Sequence, residues 1–216
     1  APAGGERGPA LEVLVRLAGE DGSIIVPGEF LKAAERYRLM SLVDRWVVQT
    51  ALAALGRGAI RLAPGRSLSL NISGQTLGDA QFLEFVVECL DRTGVQPAQV
   101  CFEVTEASVV ANLEHARRFI GVLHGMGCQF ALDDFGTGVS SLAYLKDLSV
   151  NYLKIDGAFV QNLARSEDDR AFVHTLIDLA KPSFKMGLAE LRVGWSAHEL
   201  SVKIAPAQAV YKVRDK

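Results

Sequence analysis

Val100-Cys-Phe-Glu103-Val104, a helical stretch from Leu113 to Met126, and Gln129-Phe-Ala-Leu132-Asp133-Asp134-Phe-Gly136 make up the stretch from which the fold is read. The outer segments are short apolar runs that end in acids. Between them Phe119, Ile120 and Leu123 recur at helical spacing, and Gly127 follows as a stop. Strand, helix, strand within about forty residues is the βαβ unit, which requires parallel pairing and a right-handed crossover.

The same alternation extends outward. Upstream, Leu68-Ser-Leu-Asn-Ile72 reads as a strand, and Asp79 to Arg92 as a helix with Phe82, Phe85, Val86, Cys89 and Leu90 on one side, stopped at Gly94. Gly28 to Leu55 reads as two helical pieces, the second capped by Ser41 with Leu42, Trp46, Val47 and Leu55 as its apolar positions, and Leu11 to Leu17 as a strand. Downstream come a short helix from Ser140 to Leu148, a strand from Asn151 to Ile155, and a helix from Asp168 to Ala180 carrying Phe172, Leu176 and Leu179. Repeated βα units close into a barrel or open into a doubly wound sheet. Here Asn71, Glu103, the Asp133-Asp134 pair and Asp156 each stand at a strand end, at intervals of 32, 30 and 23 residues. A barrel gathers such ends on one face, whereas an open sheet favours a glycine-rich phosphate turn, and neither G-x-G-x-x-G nor G-x-x-x-x-G-K-[ST] occurs. The expected fold class is α/β, a (β/α)8 barrel.

Composition narrows the function. With 216 residues, 49% hydrophobic and 22% charged, the chain can bury a large core, and residues 10–216 read as one domain behind an Ala1-Pro-Ala-Gly-Gly-Glu-Arg-Gly-Pro9 linker. A net charge of −2 without runs of like sign gives no electrostatic grip on duplex DNA or RNA. No apolar run approaches the ~18–20 residues of a spanning helix, so no membrane contact is expected. Cys89, Cys101 and Cys128 form neither a C-x-x-C nor an even framework, which points to a cytoplasmic chain.

Carboxylates converging at strand ends with Asn71 and Lys154 repel one another unless a cation lies among them. Oxygen donors select hard ions such as Mg²⁺ or Mn²⁺, while His115, His124, His174 and His198 fall in helical or tail segments and read as structural or exposed. A single acid at a strand end is more often than not a loop-facing solvated group or a helix N-cap, but the adjacent Asp133 and Asp134 are costly to place together without a cation. Lys154 reads either as a buried, paired ammonium or as a lysine reaching the rim. Gly136-Thr137-Gly138 reads as a flexible loop before a helix, or an ordinary βα turn. Asp134-Phe-Gly136 also matches the kinase metal tripeptide, but the H-R-D loop and the glycine-rich flap of kinases are missing.

Together these segments resemble the EAL-domain family of bacterial cyclic-di-GMP phosphodiesterases. Glu12-Val-Leu-Val-Arg16 resembles the signature E-A-L-x-R, and Pro27-Gly-Glu-Phe30 with Ala34-Glu35 the segment that follows it. Asn71-Ile-Ser73, Glu103-Val-Thr-Glu106, Asp133-Asp-Phe-Gly-Thr-Gly138-Val-Ser-Ser-Leu142 and Leu153-Lys-Ile-Asp-Gly157 resemble its later blocks, in order. The resemblance implies a modified (β/α)8 barrel that hydrolyses cyclic-di-GMP to linear pGpG with Mg²⁺ or Mn²⁺. It places Glu12, Asn71, Glu103 and Asp133 on one metal and Asp134 on a second. It gives Lys154 the orientation of water or a phosphate oxygen, Glu106 the anchoring of the loop from Phe135 to Ser141, Asp156 the support of Lys154, and Leu14 and Arg16 contacts to the dinucleotide. It also implies pairing into homodimers and flanking sensory or GGDEF-type domains.

Four departures from the family pattern stand out. Val13 replaces the signature Ala, Val139 replaces a loop Tyr, and a Gly/Pro leader stands where the family has a further strand. Glu190 falls where the family carries its general base, in V-A-E-G-V-E, but Leu191-Arg-Val-Gly-Trp195 does not continue the block and no Q-G-Y follows, so residues 181–216 are divergent. The barrel is therefore open to being incomplete at both ends, and a domain that binds cyclic-di-GMP without turnover, as a receptor or interaction module, is the alternative.

Overall fold

The computed structural model describes residues 8–19, 23–136, 142–155, 166–168, 170–171, 174–175, 191–196 and 199–204. Five strands, β1 (Gly8–Val13), β4 (Arg66–Ile72), β5 (Val100–Thr105), β6 (Gln129–Phe135) and β7 (Tyr152–Ile155), form one sheet in the order β1-β4-β5-β6-β7. Every pairing in it is parallel. A doubly wound sheet would reverse direction along its edge-to-edge order, whereas strands laid down consecutively are the arc of a barrel. The short β2 (Leu17–Ala18) and β3 (Ile24–Ile25) pair antiparallel outside this sheet. So do β8 (Leu191–Ser196) and β9 (Glu199–Ile204), in the divergent segment where the resemblance implies a further parallel strand.

Helices α1 (Pro27–Arg36), α2 (Met40–Gly56), α3 (Gly74–Leu77), α4 (Phe82–Thr93), α5 (Glu106–Ala111) and α6 (Leu113–Gly125) fill the crossovers. Leu70, Phe102, Phe130 and Leu132 point to the helix side of the sheet, where they are fully buried with Leu52, Phe82, Val86, Ile120 and Leu123. Phe82, Phe102, Phe119 and Phe130 form a connected aromatic group with centroids 5.6–5.8 Å apart. The opposite face of the sheet holds a smaller cluster of Cys101, Ala131 and Tyr152.

Several local expectations shift. The first strand begins at Gly8, where Arg66 Nη2 donates to the Pro9 carbonyl, and ends at Val13 rather than Leu17. Ser41 lies inside α2 and caps nothing, because Arg38 at φ +56° turns the chain directly from α1 into a helix whose N-cap is Leu39. Leu42 and Trp46 are 65% and 60% exposed. The buried stripe of α2 is Met40, Asp44, Val47, Val48, Ala51, Leu52 and Leu55, and Leu42 and Trp46 lie about 200° around the axis from Asp44 and Val48. The short helix expected from Ser140 is a 3₁₀ segment over Leu142–Asp147. The helix expected over Asp168–Ala180 lies largely outside the described residues.

Candidate functional site

The site follows from strand register. Glu12 is paired with Ser69, Ser69 with Cys101 and Cys101 with Gln129, which makes one row across the inner face. Two residues toward the carboxyl ends, Asn71, Glu103, Ala131 and Tyr152 make the next row. Two further on stand Thr105 and Asp133, with Lys154 beside Asp133 because Leu132 pairs with Leu153. Glu12, Asn71, Glu103, Asp133 and Lys154 thus climb through the rows by about one residue per strand, the stagger of an eight-stranded barrel whose shear equals its strand number. Strand tilt converts that diagonal into a level ring at the carboxyl end.

Side chains along the diagonal make two groups, one of Glu12 with Asn71 and one of Lys154 with Glu103 and Asp133. Asn71 Nδ2 donates to Glu12 Oε1 at 2.9 Å. Lys154 Nζ donates to Glu103 Oε2 at 2.5 Å and to Asp133 Oδ2 at 2.7 Å. Glu103 is 4% and Asp133 8% exposed, so this is a buried ionic trio. Burial alone would lower the Lys154 pKa, but the two carboxylates outweigh it and hold the ammonium above its usual range.

Glu106, 2% exposed at the start of α5, accepts from the Gly136 N–H and the Tyr144 hydroxyl, both at 2.9 Å. Burial, with Glu106 beside it, pushes the Tyr144 hydroxyl well above the ordinary tyrosine range and keeps it a donor. Gly136 at φ +99° and Asp134 at φ +51° turn the chain out of β6, and the Asp134 N–H donates to Asp133 Oδ1 at 2.9 Å. A left-handed non-glycine residue is strained and is the kind of conformation functional sites retain. Leu14 and Arg16 are exposed just beyond β1, with Arg16 Nη1 donating to the Val15 carbonyl. Thr137, Gly138, Asp156 and Glu190 lie outside the described residues.

Below the ring Gln129 Oε1 accepts from Ser67 Oγ at 3.1 Å and from the Tyr152 hydroxyl at 2.9 Å, giving the lumen a polar floor. Sequence reasoning passed over Tyr144 and Gln129, neither of which carried a readable signal.

Glu12, Asn71, Glu103 and Asp133 present only oxygen acceptors beside the Asn71 amide, a donor set that fits a hard divalent ion. Among the described residues no three acidic, histidine or cysteine side chains form a metal cage by themselves. Lys154 supplies the positive charge between Glu103 and Asp133.

Comparison with known proteins agrees with the geometry. The model of the EAL domain matches residues 4–190. The chain is 36% identical over 171 residues to the cyclic di-GMP phosphodiesterase PdeB of Shewanella oneidensis, covering 79% of this chain and 20% of that protein. It is 33% identical over 190 residues to the cyclic di-GMP phosphodiesterase PdeF of Escherichia coli, covering 88% of this chain and 25% of the relative. The chain therefore spans a fifth to a quarter of the length of these relatives. Among solved structures, the PaMucR phosphodiesterase in its c-di-GMP complex superposes with a TM-score of 0.72 at 31% identity, covering 80% of this chain and 70% of that one. The FimX EAL domain of Pseudomonas aeruginosa bound to c-di-GMP gives a TM-score of 0.71 at 29% identity, covering 80% and 69%. A barrel arc with consecutive parallel strands, acids ringed at its carboxyl end and a family match over most of its length place this chain in the EAL domain family.

Proposed function

We propose that the chain is a metal-dependent phosphodiesterase that hydrolyses cyclic-di-GMP to linear pGpG. The observation that carries this reading is the buried Lys154 bridging Glu103 and Asp133 at the carboxyl end of the arc. Glu12, Asn71, Glu103 and Asp133 would hold one Mg²⁺ or Mn²⁺ ion, and Asp134 would help hold a second. Such ions, when bound, activate water and offset charge on the phosphodiester.

The chain's own groups do the rest. Lys154, kept cationic by its two partners, orients a phosphate oxygen or the attacking water. Arg16, exposed beside the signature strand, contacts a phosphate, and Leu14 packs against the dinucleotide. Glu106 fixes the Gly136 N–H and so anchors the chain where it enters Thr137 and Gly138. Glu190 takes the proton from water, and Asp156 supports Lys154. In this reading residues 10–216, joined by Gly8 and Pro9 as the start of β1, form one module of a longer bacterial signalling protein in the cytoplasm. Sensory or GGDEF-type domains flank it, and it pairs as a homodimer. No helix among the described residues is long and apolar enough to cross a membrane.

One observation favours a second reading, a receptor that binds cyclic-di-GMP without turnover. Immediately after Glu190 the chain forms the antiparallel β8–β9 pair, not a further parallel strand. The test is incubation of the chain with cyclic-di-GMP and Mg²⁺ or Mn²⁺, followed by separation of products. Release of pGpG, abolished by Glu12→Ala or Asp133→Ala and stopped by Glu190→Gln with binding retained, is the expected result. Binding without pGpG moves the assignment to the receptor.

A further inference from the structure

Asp44 is a buried carboxylate that the site described above does not use. It sits on α2 at 5% exposure, between Met40 and Val47 in a stripe that is otherwise apolar. Burial raises its pKa, and its hydrogen bonds to Thr76 and Ser73 oppose that rise. One oxygen, Oδ2, accepts from both the Ser73 N–H at 2.8 Å and the Thr76 hydroxyl at 2.6 Å. Ser73 Oγ in turn lies 2.9 Å from Thr76 Oγ1 and accepts from the Thr76 N–H. An ionisable group is costly to bury for packing alone, and an apolar residue would continue the stripe at lower cost.

What this carboxylate holds is the exit of β4. Ser73 is two residues beyond Asn71, and the turn it opens is gripped on its other sides as well. Gln75 Nε2 donates to the Glu35 carbonyl at 2.7 Å, and Asn112 Nδ2 to the Gly74 carbonyl at 3.3 Å. Gly74 lies so close to α5 that a Cβ there would stand 2.9 Å from Ser108 Oγ. Ser108 in turn accepts from Thr105 Oγ1 at the end of β5, two residues beyond Glu103. The exits of β4 and β5 are thereby joined, and Asp44 is the charged group that seats the joint on α2.

We propose that Asp44 is a positioning residue for Asn71: by fixing the Ser73 turn it sets where the Asn71 amide meets Glu12 and stands beside Glu103. The part of this concerning metal rests on the phosphodiesterase reading; the placement of Asn71 does not. Groups that orient a ligand without touching the ion commonly govern affinity by about 10–100-fold.

Two readouts test it. In metal-free protein, the side-chain amide resonance of Asn71, which donates to Glu12, should move and lose exchange protection in Asp44→Leu. It should hold its place in Asp44→Asn, whose remaining oxygen can accept both bonds. Calorimetric titration with Mn²⁺ alone should show binding weakened by about tenfold or more in Asp44→Leu, and close to wild type in Asp44→Asn. Leu52→Ala, a core truncation on the same helix, controls for lost stability and should leave both readouts unchanged. Should Asp44→Leu not fold, Thr76→Val removes one of the two donors and should give a graded loss. An Asn71 resonance unmoved in these variants, or moved equally by Leu52→Ala, overturns the proposal. Failure of the wild-type chain to bind Mn²⁺ counts against the metal reading, and the amide resonance then decides the role of Asp44.

Discussion

Cys128 stands where α6 gives way to β6, buried, and burial pushes its thiol up to about 12. Cys101 is pushed well above its ordinary value by burial and by Glu103 beside it, and Cys89 is raised by burial. All three are free. The reactive species is the thiolate, so the folded chain should resist a disulfide reagent at pH 8 and react at all three positions once unfolded. Rapid reaction in the native state would contradict this burial. The linkage runs the same way: a Cys128 proton held until about pH 12, against 9.0 in the unfolded chain, contributes stability present in full below pH 9 and lost as pH rises toward 12. Lys154 makes a contrasting case, because removing it leaves two buried carboxylates without their cation. Lys154→Met should cost about 3–5 kcal/mol in metal-free protein, read by urea unfolding.

The ends of α2 and α4 meet closely. A Cβ on Gly56 would stand 2.6 Å from the Thr93 carbonyl oxygen, a backbone atom that cannot swing aside. Alanine would gain about 0.5–1 kcal/mol of helix preference over glycine, while overpacking costs about 1–3 kcal/mol. The clash wins, and Gly56→Ala should lower the urea midpoint. Strands β4, β5 and β6 and helices α4 and α6 were legible because each carries a complete period of apolar residues. Helices α3 and α5 were not, since they are four and six residues long and are set by single caps, Ser73 on Thr76 and Thr105 on Ser108. The acids at the strand ends were legible one at a time as chemistry. Which of them touch was not, because the pairing of Lys154 with Glu103 and Asp133 depends on register between strands 21 to 51 residues apart in the chain.

At the scale of the molecule, the four joined aromatic rings tie the sheet to α4 and α6. Phe130 is fully buried among them, in contact with Phe102 and Phe119. Phe130→Ala should cost about 3–5 kcal/mol, a large fraction of the stability of a domain this size, with sheet and helix signals lost in one thermal transition. Two separate transitions would show that the helices do not share a core with the sheet. The order of the strands has a further consequence during synthesis. Because β1, β4, β5, β6 and β7 lie side by side as they are translated, a ribosome releases each one onto a margin already assembled. Among these five strands no finished pair has to be prised apart to admit a latecomer, and the nascent chain can bury their apolar faces as it emerges.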